Sequence, residues 1–491
     1  MRKVFVLAVL GLAILLPWAA LAQGYHENRE LPEGPLGDRI REVLDVVNSG
    51  DSERARAFIE NSCTAEFRAD TPTDEYVQMI ADLYQGSRGL DFYGVREYEG
   101  EAPVQGTVVI VRNRLTEAWS AIVVEIESEP PHRFTELGVG PARPPADLAR
   151  ASKKLTDEEI VAQLDAFVKR LAEADAFSGT VLLAKEDKVL YRAAHGLASK
   201  RFDVPNNIET KFNLGSMNKM FTGVAILQLV ERDKLQLTDP ISKYVSTDWL
   251  PREITDKIQI QHLLTHASGL GSYFNETFME SSRLRFREVD DYKPLVQGET
   301  LAFEPGTDWR YSNTGMLLLG VVIESVTGGS YFDYIRENIY EPAGMKNSDC
   351  YDMDRPVKNL AIGYTREDGE WANNLYLHVV RGGPAGGGFS TVEDLLRFAR
   401  ALRGHKLLSP EGTETVWSPK PELGSPNYGF GFGVGGGEGQ RIVGHGGGFA
   451  GINSNLDIFL DSGYTAVVMS NYDMGAEPIR QKMRELIAAA D

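Results

Sequence analysis

Two β-rich runs stand at opposite ends of one long stretch of this chain. FSGTVLLAKEDKVLYRAAHGLA, starting at Phe177, and NLDIFLDSGYTAVVMSN, starting at Asn455, each read as two strands around a tight turn. Helical material lies between them, and a last helix is predicted from about Glu477 to Ala489. Hairpins at both ends of one region predict an antiparallel sheet assembled from both termini, with helices packed on it and a helical part between. That is an α+β architecture. No internal repeat competes with it, and the glycine clusters at 386–388, 435–437 and 446–448 are too short to count as low complexity.

Just upstream, Thr156 and Glu159 suit a capping box for a helix carried by Ile160, Leu164, Phe167, Val168 and Leu171. GPARPPADLARASKK, between Gly140 and Lys154, is a proline-rich polar boundary. Before it, the pattern is helical from about Asp38 to Leu83 and turns to strands near Leu90, in LDFYGVREYEG, GTVVIVRNR and EAWSAIVVEIES. These readings predict a small α+β domain over 23–145, a linker at 146–154 and a larger domain over 155–491. The small domain is expected to serve packing or a homodimer, and no second activity is assigned to it.

The first residues, MRKVFVLAVLGLAILLPWAALAQGY, place Arg2 and Lys3 before an uncharged run and then Ala20-Leu21-Ala22. This is the pattern of a signal peptide over 1–22. The apolar run is short for a membrane span, and no later segment is long and apolar enough to cross a bilayer, so no span is expected after cleavage. The mature chain is expected to be periplasmic or secreted, from a bacterial cell. Its two cysteines, Cys63 and Cys350, fall in different predicted domains, which excludes a disulfide framework. The formal net charge is −19, and Arg2 and Lys3 leave with the leader. Such acidity argues against nucleic acid and anionic lipid as partners.

KFNLGSMNKMFTG, from Lys211 to Gly223, carries a hydroxyl and an amine among apolar residues. Ser216 and Lys219 are three apart and share a helix face. A serine hydroxyl needs a base within hydrogen-bond reach to become a nucleophile. A lysine is that base only while neutral, which the dry neighbours Leu214, Met217, Met220 and Phe221 would favour. This is the only S-x-x-K pair in the chain, and G-x-S-x-G is absent, which counts against an α/β-hydrolase. A helix-capping serine beside an incidental lysine is the competing reading.

Two further polar groups stand out. In FEPGTDWRYSNTGMLLLG, Tyr311 and Asn313 precede a strongly apolar helix. A phenol there would relay a proton, and an amide would orient the lysine or the substrate; a turn tyrosine and a capping asparagine would look the same. The pattern recurs at Tyr273 and Asn275, so it carries little weight alone. In RIVGHGGGFAGINSNLDIFL, His445 enters three glycines that would let an extended substrate lie close against a strand. A structural histidine in a glycine-rich turn is the alternative.

Taken in order, Ser216-Met-Asn-Lys219, Tyr311-Ser-Asn313 and His445-Gly446-Gly447 resemble the motifs of the penicillin-binding and class C β-lactamase superfamily of serine hydrolases. IQIQHLLTHASGL, AFEPGTDWRYSN and GHGGGFAGINS resemble that family too, as does RGGPAGGGFSTVEDLLRFARAL, where Ser390 and Glu393 suit a capping box. The resemblance covers about Leu155 to Ala489. It implies a β-lactamase/transpeptidase-like fold and an acyl-enzyme on Ser216. Lys219 and Tyr311 would be general base and acid, and Asn313, His445, Gly446 and Gly447 substrate-orienting groups. The backbone N–H groups of Ser216 and Gly448 would form an oxyanion hole. No cofactor and no metal are implied, and His262 and His266 read as structural because no third ligand has matching spacing. The region before Pro145 resembles an NTF2-type α+β cone instead.

Where many relatives carry Lys-Thr/Ser-Gly, this chain has His-Gly-Gly, without the cation and hydroxyl that hold a β-lactam carboxylate. The variant resembles D-aminopeptidases, D-stereospecific peptidases and esterases. The expected substrate is therefore a small ester, amide or peptide, including ones with a D-residue. A β-lactamase or D,D-carboxypeptidase is the second reading, and a non-catalytic sensor retaining the fold the third.

Overall fold

In the computed structural model, residues 24–99, 106–149, 154–367, 369–437 and 439–490 are described. The predicted signal peptide lies outside them. The chain divides into two compact units at the Lys154–Leu155 junction.

Among its described residues, the first unit places β1 (Tyr25–Asn28) ahead of four consecutive helices, α1 (Pro35–Ser49), α2 (Ser52–Ser62), α3 (Ala65–Asp70) and α4 (Thr73–Ser87). Strands β2 (Leu90–Tyr98), β3 (Thr107–Asn113), β4 (Trp119–Ile126) and β5 (Phe134–Pro141) follow, and the antiparallel sheet has the order β1-β2-β3-β4-β5. Strand β3 has buried residues on both faces. Val109 and Val111 pack with the helices, while Val108 and Ile110 meet Tyr93, Tyr98 and Trp119 on the other face. Strands β1 and β5 were not anticipated. The sequence reading placed residues 146–149 in a linker; they form a short helix, α5 (Ala146–Ala149), in which Asp147 bonds Arg29 and Tyr93.

The second unit opens with α6 (Asp157–Glu173), whose Thr156–Glu159 capping box and five predicted core residues all appear. Its six-stranded antiparallel sheet is built from β6 (Gly179–Lys185), β7 (Lys188–His195), β8 (Gly433–Gly435), β9 (Ile442–Phe449), β10 (Ile452–Phe459) and β11 (Tyr464–Ser470). The strand order is β8-β9-β10-β11-β6-β7. Strands β11 and β6 pair from Tyr464–Lys185 to Ser470–Gly179, so the sheet joins the two ends of the unit as the hairpins predict. A terminal helix spans Glu477–Ala488.

Two helices from the intervening segment position the site. Residues Asn218–Glu231 and Asn313–Thr327 are buried over most of their length, the signature of core helices rather than amphipathic ones. The first is preceded by the tight turn Gly215–Met217. The second is capped by Ser312, whose Oγ accepts from the Gly315 N–H, and ends at Gly328 in the left-handed region. A third helix, Val392–Arg403, has Thr391 as its cap, bonded to the Asp394 N–H. This corrects the Ser390–Glu393 capping box, because Ser390 instead bonds Ser348 in the interior.

Candidate active site

Ser216 lies in the turn that feeds the Asn218–Glu231 helix, and Lys219 in that helix's first turn. Lys219 Nζ donates to Asn313 Oδ1 at 2.9 Å and to the Ala385 carbonyl at 2.5 Å, and it stands 3.1 Å from Ser216 Oγ. The amine is fully buried, and burial alone holds its pKa well below the ordinary lysine value, with no described carboxylate offsetting it. A neutral amine beside a hydroxyl can accept its proton.

Gly215 makes this turn possible. Its φ is +50°, and a Cβ there would lie 2.9 Å from the Gly448 nitrogen. Gly447 presses on the same turn from the strand side, where a Cβ would collide with the Leu214 carbonyl. The backbones of Gly215–Ser216 and Gly447–Gly448 thus lie side by side, each without a side chain between them. Behind the turn, the 383–388 loop is pinned to the helix. Asn218 donates to the Gly383 carbonyl at 3.1 Å and Thr222 to the Pro384 carbonyl at 2.8 Å. That pinning presents the Ala385 carbonyl to Lys219.

Asn313, the first residue of the second core helix, is held from its other end by donating to Ser272 Oγ at 3.1 Å. Tyr311 lies beside Ser216, and Lys219 Nζ stands 4.8 Å from the centre of its ring. Burial pushes the phenol up to about 12, opposed by the nearby Ser216 hydroxyl, so it is protonated at neutral pH. The duplicate pattern separates cleanly: Tyr273 sits among Phe274, Phe278 and Tyr292, and Asn275 caps a short helix.

His445 lies on β9 with its ring centre 6.4 Å from that of Tyr311. Its Nδ1 faces the Gly446 carbonyl, which assigns the proton there, so Nε2 accepts from the Tyr428 hydroxyl at 2.9 Å. Desolvation, with Lys219 as a second cause, pushes the imidazole down to about 3. His445 is therefore neutral at pH 7. His266 lies beneath: its Nδ1 accepts from the Ser312 N–H at 3.1 Å, and its ring packs 4.4 Å from Tyr311 and 4.6 Å from Tyr428. His262 accepts from the Gln259 N–H.

Ser216, Lys219 and Asn313 are thus linked at one turn with Tyr311 beside them, Gly447 and Gly448 press on that turn, and His445 stands next to Tyr311, whereas Gly446 alternates to the other face of β9. The sequence reading missed four supports: the Ala385 carbonyl, Ser272, Tyr428 and the contact of His266 with Tyr311. Only His266 carried a signal, in the THASGL segment.

A hydroxyl within hydrogen-bond distance of a buried amine and beside a phenol, at a turn flanked by bare backbone, defines an acyl-transferring serine hydrolase. The family model described as Beta-lactamase matches residues 164–490, and the chain belongs to that family. The chain is 30% identical over 331 residues to penicillin-binding protein 4* of Bacillus subtilis (strain 168), covering 64% of this chain and 72% of that one. It is 29% identical over 232 residues to esterase EstB of Burkholderia gladioli, covering 45% and 58%. A D-stereospecific amidohydrolase from Streptomyces sp. superposes with a TM-score of 0.56 at 25% identity, covering 66% of this chain and 97% of that one. The enzyme is accordingly a serine hydrolase that works through an acyl-enzyme. Among the described residues, no single helix is long and apolar enough to cross a membrane.

Proposed function

We propose that Ser216 is the nucleophile of an exported hydrolase acting on small esters, amides or peptides, including substrates with a D-residue. Ser216 Oγ attacks the carbonyl carbon while its proton passes to neutral Lys219 Nζ. The oxyanion is held by the N–H groups of Ser216 and Gly448. Tyr311 donates its phenolic proton to the leaving group and is reprotonated from Lys219, leaving an ester on Ser216. Water then attacks that ester through the same pair in reverse. Asn313 fixes the lysine, and His445 with Gly446 and Gly447 lines the substrate strand.

One observation carries the reading. Lys219 is wholly buried, has no described acidic partner, and stands 3.1 Å from Ser216 Oγ. A lysine placed for structure alone would be paired. The names of EstB and of the D-stereospecific amidohydrolase support the substrate class. Export rests on the leader sequence. The NTF2-type reading of the first unit rests on its helices packed against one face of an antiparallel sheet, and a homodimer through it remains part of the proposal.

The test is a fluorophosphonate probe followed by intact-protein mass. One adduct is expected on Ser216 and none on Ser216→Ala, which should also lose several orders of magnitude in hydrolysis. Unchanged hydrolysis by Ser216→Ala refutes the assignment.

The likeness to penicillin-binding protein 4* favours a second reading, a β-lactamase or D,D-carboxypeptidase. Nitrocefin, D-Ala-D-Ala peptides and short p-nitrophenyl esters, compared by kcat/KM, separate the two. Neutral His445 and the missing hydroxyl at Gly446 predict that the esters win.

A further inference from the structure

Strand β9 runs past the serine in a definite direction. Its His445 end stands beside Tyr311, with ring centres 6.4 Å apart, and its Gly447 and Gly448 lie against the Gly215–Ser216 backbone. The strand then ends at Phe449. Val443, His445, Gly447 and Phe449 fall on one face by alternation. A Cβ on Gly447 would meet the Leu214 carbonyl, so that face looks onto the serine turn. Phe449 lies four residues beyond His445, which is about 13 Å along the strand. The serine turn meets β9 between these two side chains.

Phe449 meets a second phenyl there. Its ring stacks on that of Phe274 with 5.9 Å between centres and 25° between planes. Phe274 comes from the opposite wall. It follows Ser272, whose hydroxyl accepts from Asn313, and its own N–H donates to that hydroxyl at 3.4 Å. Both phenyls nevertheless remain 36% exposed. Further exposed apolar side chains adjoin them. Asn374 donates to the Ala450 carbonyl at 2.9 Å, which holds exposed Leu375 next to the Phe449 turn. Phe274 packs at 4.8 Å on Phe278, the neighbour of exposed Met279. Arg283 ties the two segments together by donating to the Leu377 carbonyl at 3.2 Å and to the Met279 carbonyl at 3.4 Å. Apolar residues exposed singly need no explanation, but a linked set at the mouth of a reactive site marks a ligand surface.

We infer that Phe274 and Phe449 form the acyl subsite of the serine cleft and select substrates whose acyl part is a bulky apolar group. The inference rests on the acyl-enzyme mechanism proposed above and adds which end of the substrate lies where. The leaving group departs toward its proton donor, Tyr311, at the His445 end of β9. With the carbonyl oxygen held at the N–H groups of Ser216 and Gly448, the acyl substituent runs the other way, past Gly448 to Phe449. An apolar group there covers the exposed part of both rings and gains the burial of its own surface. An acetyl group is too short to cover them, and a charged one gains nothing from them.

The test compares p-nitrophenyl hexanoate with p-nitrophenyl acetate on the full-length protein, below the concentration at which the hexanoate aggregates. The leaving group is the same and the longer ester is intrinsically no more reactive, so the ratio of kcat/KM values reads binding of the acyl part. A ratio of about tenfold or more in favour of the hexanoate is expected from partial burial of its added methylenes. Phe449→Ala and, independently, Phe274→Ala should each lower that ratio about threefold or more. The ratio does not depend on the folded fraction, so it stays readable in a variant of reduced stability. Trp309→Ala removes an exposed aromatic beside Tyr311, at the leaving-group end, and should keep the wild-type ratio. A wild-type ratio near one overturns the inference, as does an undiminished ratio in both phenylalanine variants or an equal fall in Trp309→Ala. A ratio near one together with a dimer that Phe449→Ala dissociates would give the patch to a second copy of the chain instead. The serine reading fails by a different result, hydrolysis of both esters by Ser216→Ala at the wild-type rate, and the inference falls with it.

Discussion

Lys219 Nζ lies 2.9 Å from Asn313 Oδ1, joining the first turns of two core helices that are distant in sequence. The contact gives the amine an acceptor without giving it a charge partner, so burial is free to depress its pKa. An amide at position 313 does what a carboxylate would undo.

That relationship predicts the behaviour of Asn313→Asp. A carboxylate beside Lys219 favours the protonated amine and raises its pKa. The acid limb of kcat/KM should move to higher pH, with activity at pH 7 reduced and partly recovered at pH 9. A profile identical to that of the wild type would exclude Asn313 from holding the lysine.

Lys219 itself should leave a signature in stability. Between its depressed folded pKa and the ordinary value of about 10.4, the unfolded chain binds a proton on this residue that the folded chain does not. Its contribution therefore makes stability rise with pH across that window. Lys219→Met lacks the effect, so its Tm relative to wild type should be highest near neutrality and fall toward pH 10. Hydrolysis by this variant should drop by about 10²- to 10⁴-fold. Lys219→Arg should be equally inactive, because a guanidinium stays charged.

Tyr311, with its phenol raised to about 12, enters the reaction as an acid. Tyr311→Phe should cost about 10²- to 10⁴-fold on an anilide, whose leaving amine must be protonated. On a p-nitrophenyl ester, whose leaving group needs no proton, the loss should be clearly smaller. Equal losses on both substrates would argue against the acid role.

His445, pushed down to about 3, does not change charge between pH 5 and pH 8. The pH profile of His445→Gln should therefore keep the wild-type shape over that range, even where its absolute rate falls. An inflection near pH 6.5 that disappears in His445→Gln would contradict this.

Gly215→Ala tests the turn. Its φ of +50° costs a β-carbon roughly 1–2 kcal/mol, and contact with the Gly448 nitrogen adds to it. Tm should fall, and fluorophosphonate labelling of Ser216 should slow by more than the change in folded fraction explains.

Much of this molecule is written locally in its sequence. The capping box at Thr156, the two hairpins and the apolar runs of the core helices follow from short-range periodicity and turn chemistry. The pairs Ser216–Lys219 and Tyr311–Asn313 are legible because each lies within one or two turns of chain. Thr391, rather than Ser390, caps its helix because Ser390 finds a buried partner in Ser348, which no local pattern contains.

By itself, then, the order of residues determined which elements form and which side chains carry chemistry, since those depend on neighbours a few positions away. Only the tertiary structure decided that Lys219 has an asparagine and a carbonyl for company and no acid. It also decided that His445 is neutral. Desolvation and cross-chain contact are properties of what packs around a group, and the packing partners here come from segments one to two hundred residues away.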